Sequence, residues 1–304
     1  MAFTLAAPHE FAAQYIADGV VKVEGFDVTT AWGGGAIYRT GFTEPAYDFI
    51  IMPLTNWLVA MDKGLPLIGV PVFIDLIFPH MGIRVHRNAG VKTPQDLEGK
   101  RVGVRGLAFN PAVWARGALQ DGYGVDLEKI QWKVEEPSSF TGVDVPRHPD
   151  WDVEYGYNLI DDLESGKLDA TLWDRGGPRP TANTTYLFDD PLAAGLAYYR
   201  HSGVFPLNSM LVAKKATVDA NPGLAQAVID ASDKARELYY QHVSPSSDHM
   251  GLPVGWLQQN GLFPHPNGVA NNRTAIETII RYTHEQGFIS REPTPEELFF
   301  AGAR

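Results

Sequence analysis

Thr93-Pro94-Gln95-Asp96-Leu97-Glu98-Gly99-Lys100-Arg101-Val102-Gly103-Val104 is the stretch from which the fold is read. Thr93 is placed to cap a short helix with Pro94 at its first position, where the missing N–H does no harm. A strand, Arg101 to Arg105, follows. Gly106 to Pro111 then forms a loop in which Asn110-Pro111 reads as the cap and first turn of a helix running through Gln120. The amides of that helix start point back at the end of the strand. A strand, a short loop and a helix in this order form the repeating unit of a parallel α/β sheet.

The same grammar extends in both directions. N-terminally, Phe3 to Ala7 reads as a strand, the segment from Glu10 as a helix, Gly25 to Ala31 as a strand and Tyr47 to Met52 as a buried strand. Thr55 or Asn56 then offers an N-cap for a helix that stops at Gly64, and Leu65 to Phe73 resumes as a strand. C-terminally, residues 132–152 lack clean periodicity and read as a loop or irregular insertion. Leu159 to Gly166 reads as a helix closed by its glycine, and Leu168 to Trp173 as a strand before the turn Asp174-Arg175-Gly176-Gly177-Pro178. Phe205 to Ala213 is a further strand. Asn221-Pro222 opens a long helix to about Tyr240, and Thr274 to Glu285 is amphipathic.

Composition narrows the function classes. The 304 residues are 44% hydrophobic and 20% charged, a globular balance with enough chain for two cores. The richest apolar run, Leu65 to Pro79, is interrupted by Gly69, Pro71 and Asp75 and falls short of the roughly 18 residues of a membrane span. A net charge of -11 without a basic cluster argues against nucleic acid and acidic membranes as partners, while leaving room for one anion-binding pocket. There is no cysteine, hence no disulfide, thiolate ligand or thiol nucleophile. The nine histidines are scattered and none forms a zinc-hydrolase pair, so no metal is expected. Gly33-Gly34-Gly35 does not follow the dinucleotide pattern, so no cofactor is expected either. The start has neither a basic region nor a sustained apolar one. The expected location is therefore cytoplasmic, or periplasmic if a leader has been removed. A homo-oligomer is compatible with the sequence.

TPQDLEGKRVGV at 93–104, LESGKLDA at 163–170 and the strand at 205–213 resemble solute-binding proteins of the periplasmic-binding type II fold. The resemblance implies a two-lobed α/β fold, each lobe a mixed sheet flanked by helices. One lobe would comprise residues 1–80 and 205–304, the other 81–204. PAVWARGALQDGYGV at 111–125, YYRHSGVFPL at 198–207, NGVANNR at 267–273 and THEQGFISREPTPEELF at 283–299 carry a narrower resemblance. They are similar to the 4,5-dihydroxyphthalate decarboxylase family, which implies decarboxylation of a hydroxylated aromatic acid without a cofactor. Where that family carries an arginine-rich stretch before its histidine, this chain has Ile74 to Pro79 and keeps His80. Where it tends to carry a second histidine, Asn208 and Ser209 stand after Leu207.

Candidate site residues follow from both lines of reading. Aromatic decarboxylation needs a proton delivered to the carbon that loses carbon dioxide, which suits a histidine in a cleft. His80 matches the family position at the first lobe crossing, and the plain alternative is a hinge histidine bonded to backbone. His9 follows the first strand, where open α/β sheets place ligand loops, and is equally suited to capping the helix near Glu10. Arg105 and Asn110 at a helix start, with Thr55 and Asn56 opposite, are candidates for holding a carboxylate. Arg175 beside two glycines, and Asn208 with Ser209 at the second crossing, complete the set. Trp114 and Arg273 read as structural. A small carboxylated, aromatic ligand suits either a decarboxylase or a solute-binding protein or sensor built on the same clamp.

Overall fold

The computed structural model describes residues 2–7, 13–32, 47–76, 78–135, 145–173, 177, 179–249, 252–263, 265–300 and 302–303. Two mixed sheets organise them. The first joins β1 (Ala2–Ala7), β2 (Asp27–Trp32), β3 (Phe49–Pro53) and β4 (Leu67–Leu76) to a strand from much later in the chain, β11 (Leu207–Lys214). Its order is β2-β1-β3-β11-β4. β1 runs parallel to both neighbours, whereas β11 is antiparallel to β3 and β4. The second sheet comprises β5 (Ile83–His86), β6 (Arg101–Val104), β7 (Gln131–Val134), β8 (Asp152–Tyr155), β9 (Ala170–Leu172) and β10 (Thr184–Tyr186). Its order is β10-β5-β9-β6-β7-β8, parallel from β9 to β8 and antiparallel on the β5 side.

Residues 93–104 fold as their local chemistry requires. Pro94–Leu97 is a single 3-10 turn with Thr93 at its cap, and the Asp96 carboxylate returns to the Thr93 N–H at 2.8 Å, completing a capping box. Gly99 then turns the chain at a φ of 78°, which its lack of a Cβ permits. The helix beyond it spans Asn110–Tyr123. Phe109, not Asn110, occupies its cap position, and that cap makes no side-chain hydrogen bond. Asn110 is instead the first helical residue, free to bond sideways. The opposite helix, Leu54–Asp62, likewise begins with Pro53 at the cap, so Thr55 and Asn56 lie inside its first turn.

The stretch 132–152, which the sequence suggested as a loop or irregular insertion, begins inside the strand Gln131–Val134 and ends at the first residue of the strand Asp152–Tyr155. β7 sits between β6 and β8, and Trp132 and Val134 are fully buried. Four residues are too short for a period-2 pattern to stand out beside a Pro- and Ser-rich stretch. β4 carries Pro71 on the edge of its sheet, where no ladder N–H is needed. Its register with β11 slips between Leu207 and Leu211. The groups freed by this irregularity find side chains: the Phe73 N–H donates to Asn267 Oδ1 at 2.9 Å, and Arg236 donates to the Phe73 carbonyl.

One hydrophobic core runs without interruption from the first sheet (Ile50, Met52) through Trp57 and Trp114 of the two facing helices to the second sheet (Val102, Val104, Trp132). A second core lies on the other face of the first sheet, where Leu224, Val228 and Ile229 of the helix Leu224–His242 cover Phe49, Ile51 and Val70. Among the described residues no helix is long and apolar enough to cross a membrane.

Candidate functional site

The helix starts Leu54–Asp62 and Asn110–Tyr123, one beside each sheet, face each other across the junction between the sheets, and β11 enters between them. Asn110 is fully buried there. Its Oδ1 accepts from the Thr55 N–H at 3.1 Å, and its Nδ2 donates to the Leu207 carbonyl at 3.2 Å and to Asn208 Oδ1 at 3.0 Å. Asn208 Nδ2 in turn donates to Asp75 Oδ2 at 2.6 Å and lies 3.4 Å from Ser209 Oγ. Thr55 Oγ1 donates to the Ala108 carbonyl at 2.8 Å, and Trp114 Nε1 to the Leu207 carbonyl at 2.7 Å.

This chain of bonds has a direction. Thr55 N–H can only donate and the Leu207 carbonyl can only accept, so the Asn110 amide is forced into one orientation, and its Nδ2 then fixes that of Asn208. The N-terminal amides of a helix lack intrahelical partners, and the Thr55 N–H finds its acceptor on the opposite helix. Thr55, Asn110, Asn208 and Ser209, chosen from sequence as ligand contacts, are therefore brought together, with buried Asn56 beside them. Most of their polar atoms are spent on one another. Asn208 is the least buried of the four.

Asp75 was not singled out by sequence reading, where it only interrupted an apolar run. It is 6% exposed, and a lone carboxylate at a lobe crossing is the signal that would have marked it. Arg105 stands half-buried just past the end of β6. His9 and Arg175 lie outside the described residues.

His80 sits elsewhere. It belongs to the 3-10 turn Pro79–Gly82, where the chain passes from β4 to β5, and its ring is boxed by Phe188, Tyr198 and Tyr123 at centroid distances of 5.0, 5.5 and 5.9 Å. Tyr123 ends the helix that Asn110 begins, about 20 Å away at 1.5 Å per residue. His80 is 1% exposed, and neither ring nitrogen has a hydrogen-bond partner among the described residues. The hinge bond to backbone, the plain alternative for this residue, is not found among the described residues. Burial without a partner penalises the imidazolium and lowers the pKa to about 4, so the ring is neutral at pH 7.

Trp114 is fully buried, as its reading as core requires, and Arg273 ties the tail together through Glu277 and Glu296. Two buried groups outside the sequence reading also stand out. Arg116 is wholly buried, donates to Gln286 Oε1 at 2.7 Å and to the Leu107 carbonyl, and lies over the rings of Trp132, Trp151 and Phe288. Asn267 and Asn272, in the stretch 267–273, bond to backbone of β4 and of their own loop. Their work is structural. Among the described residues no three His, Asp or Glu side chains converge in a way that would hold a metal.

Comparison with known proteins agrees with this architecture. The periplasmic aliphatic sulphonate binding protein SsuA from Escherichia coli superposes with a TM-score of 0.56 at 14% identity, covering 98% of this chain and 97% of that one. The alkanesulfonate-binding protein SsuA from Xanthomonas axonopodis pv. citri bound to MOPS gives 0.53, with 98% of each chain covered at 14% identity. At that identity the likeness establishes the fold. Residues 22–142 match the family described as NMT1/THI5 like. A 4,5-dihydroxyphthalate decarboxylase of Comamonas testosteroni is 27% identical over 93% of this chain and 91% of its own length. One from Pseudomonas putida is 30% identical over 61% of this chain and 76% of its own length. On a periplasmic-binding-protein frame, then, the chain belongs to the 4,5-dihydroxyphthalate decarboxylase family.

Proposed function

We propose that the protein is a cofactor-independent decarboxylase of a hydroxylated aromatic carboxylic acid held between its two lobes, residues 1–80 with 205–304 and residues 81–204. The observation that carries the reading is the similarity to a named decarboxylase across 93% of the chain. In the reaction, a proton adds to the ring carbon bearing the carboxylate, the ring hydroxyl supplies electron density, and the C–C bond then breaks to release carbon dioxide and restore the aromatic ring. The protein must hold the carboxylate, stabilise the charge on the hydroxyl and deliver one proton.

Arg105 and Arg175 are the proposed carboxylate clamps, since a guanidinium matches a carboxylate bidentately. Asn208 and Ser209, with Asn110, Thr55 and Asn56 behind them, are the proposed partners of the ring hydroxyl. His9 or His80 would supply the proton. His80 does so only if the box of Phe188, Tyr198 and Tyr123 opens to substrate.

The seclusion of His80 favours a second reading, a solute-binding protein or sensor for the same class of ligand. Incubation with a panel of mono- and dihydroxylated benzoates and phthalates, with released carbon dioxide measured, separates the two. Turnover of any member supports the decarboxylase. Saturable binding without turnover across the panel refutes it. If turnover is seen, loss of kcat in His9→Ala but not in His80→Phe assigns the proton to His9, and the reverse assigns it to His80.

A further inference from the structure

We propose that the C-terminal segment 267–300 is a strap that holds the two sheets at one fixed closure, so that the clamp does not swing open in the unliganded protein. Both ends of the segment are fastened beside the first sheet. At its start, the Gly268 N–H donates to the Pro71 carbonyl at 2.9 Å and Asn267 Oδ1 receives the Phe73 N–H. At its end, Ser290 places its N–H and hydroxyl on Asp62 Oδ1 at 2.9 and 2.6 Å, Phe299 forms a β-bridge with Gly69, and its ring packs on Trp57 at 5.3 Å.

The middle of the segment is fastened to the other side. The helix Val269–Glu285 lies against the helix Asn110–Tyr123 beside the second sheet. Tyr282 sits directly on Gly117, where any Cβ would run into its ring, and its edge meets Trp114 at a centroid distance of 5.7 Å. The Tyr282 hydroxyl donates to Asp121 at 2.7 Å and lies 3.1 Å from the Tyr198 hydroxyl, while Arg281 pairs with the same Asp121. One turn on, Gln286 donates to the Val113 carbonyl at 3.0 Å and accepts from Arg116 at 2.7 Å, and Phe288 packs on Trp151.

Hinge opening in two-lobed proteins requires the facing surfaces to separate while the crossing strands bend. Here separation would pull Tyr282, Gln286 and Phe288, all at most 2% exposed, out of the second lobe, or tear Ser290 and Phe299 from the first. The Gln286 amide and the Arg116 guanidinium would lose buried bonds with no solvent-exposed substitute in place. A rigid clamp of this kind keeps the loops of both lobes in register between turnovers.

The chain has no cysteine, so labels report on chosen sites alone. Val20 on the first lobe and Ile160 on the second are 62% and 48% exposed. With Val20→Cys and Ile160→Cys spin-labelled, electron–electron distance measurement on the unliganded full chain is expected to give one narrow distribution. Adding Gly117→Ala, which wedges Tyr282 off its seat, is expected to broaden the distribution about twofold or split it in two, as closure becomes an equilibrium. If Gly117→Ala does not fold, Tyr282→Phe combined with Gln286→Leu removes the polar ties at nearly constant volume and carries the same expectation. A broad or two-peaked distribution in the parent, or a narrow one unchanged in the folded variant, overturns the strap. The readout does not depend on turnover.

Discussion

Replacing Asn110 by aspartate tests whether the junction between the lobes is held by a directional chain of hydrogen bonds. The change is isosteric, so no cavity opens. Oδ1 keeps the Thr55 N–H, but the atom that donated to the Leu207 carbonyl and to Asn208 Oδ1 becomes an acceptor facing two acceptors. Asn208 cannot relieve the clash by rotating its amide, because its oxygen would then face Asp75, to which its nitrogen donates at 2.6 Å. Against this stands the gain from a carboxylate at a helix N-terminus, about 0.3–1 kcal/mol. A buried charge without compensation costs about 3–5 kcal/mol, so the penalty wins. The net cost, about 2–4.7 kcal/mol, corresponds for a chain of this length to a fall in Tm of about 3–7 °C. Equilibrium unfolding in guanidinium chloride at pH 7 measures it as a shift in midpoint at constant m. An Asn110→Asp variant as stable as the parent, or more so, would mean that the helix terminus dominates and that the directional chain is not what holds the junction.

Two further outcomes follow from buried groups. His80→Phe forfeits no hydrogen bond, so stability at pH 7 should change by less than about 1 kcal/mol. Its acid profile should change more. With the folded pKa lowered to about 4 from 6.5, the unfolded chain takes up the proton first, so the stability associated with neutral His80 is complete above pH 6.5 and is lost as the pH falls toward 4. The loss is roughly 3 kcal/mol, and it should vanish in His80→Phe. His265, lowered to about 4 chiefly by burial, leaves a residual slope of the same sign. Urea midpoints between pH 7.5 and 4.5 decide, and parallel curves for parent and variant would contradict the partnerless setting of the ring. Asn267→Ala strands the Phe73 N–H in the irregular stretch of β4 and takes a 2.6 Å partner from Asp233, for a cost of about 1–3 kcal/mol. A midpoint unchanged from the parent would show that the strand irregularity has another support.

The parts of the molecule that sequence reading recovered are those whose causes lie within a few residues. Thr93, Pro94, Asp96 and Gly99 specify a capped turn and its exit because every partner is within the same stretch. The two-sheet frame was legible for a similar reason, since strand-loop-helix units repeat along both halves of the chain. β7 was missed because its burial comes from β6 and β8 on either side, not from any pattern inside Gln131–Val134. The helix starts that carry the candidate site residues were legible, and the exact place of those residues in the first turn was not. Thr55, Asn56 and Asn110 were correctly expected at facing helix starts, yet they are first-turn residues, and Thr55 and Asn110 join the two helices to each other.

What the amino-acid sequence determined alone is the class of fold, the apolar faces of its helices and the places where chain turns, because these rest on backbone preference and on neighbours three or four residues away. Only the tertiary structure decided which polar atoms are spent. Asn110 turns to Thr55 and Asn208, at separations of 55 and 98 residues, instead of capping its own helix, and Asp75 becomes the acceptor at the end of that chain. His80 kept its place at the first crossing, but among the described residues it meets a wall of aromatic rings and no hydrogen-bond partner. A side chain's partner is set by which distant atoms arrive beside it, and no local pattern carries that information.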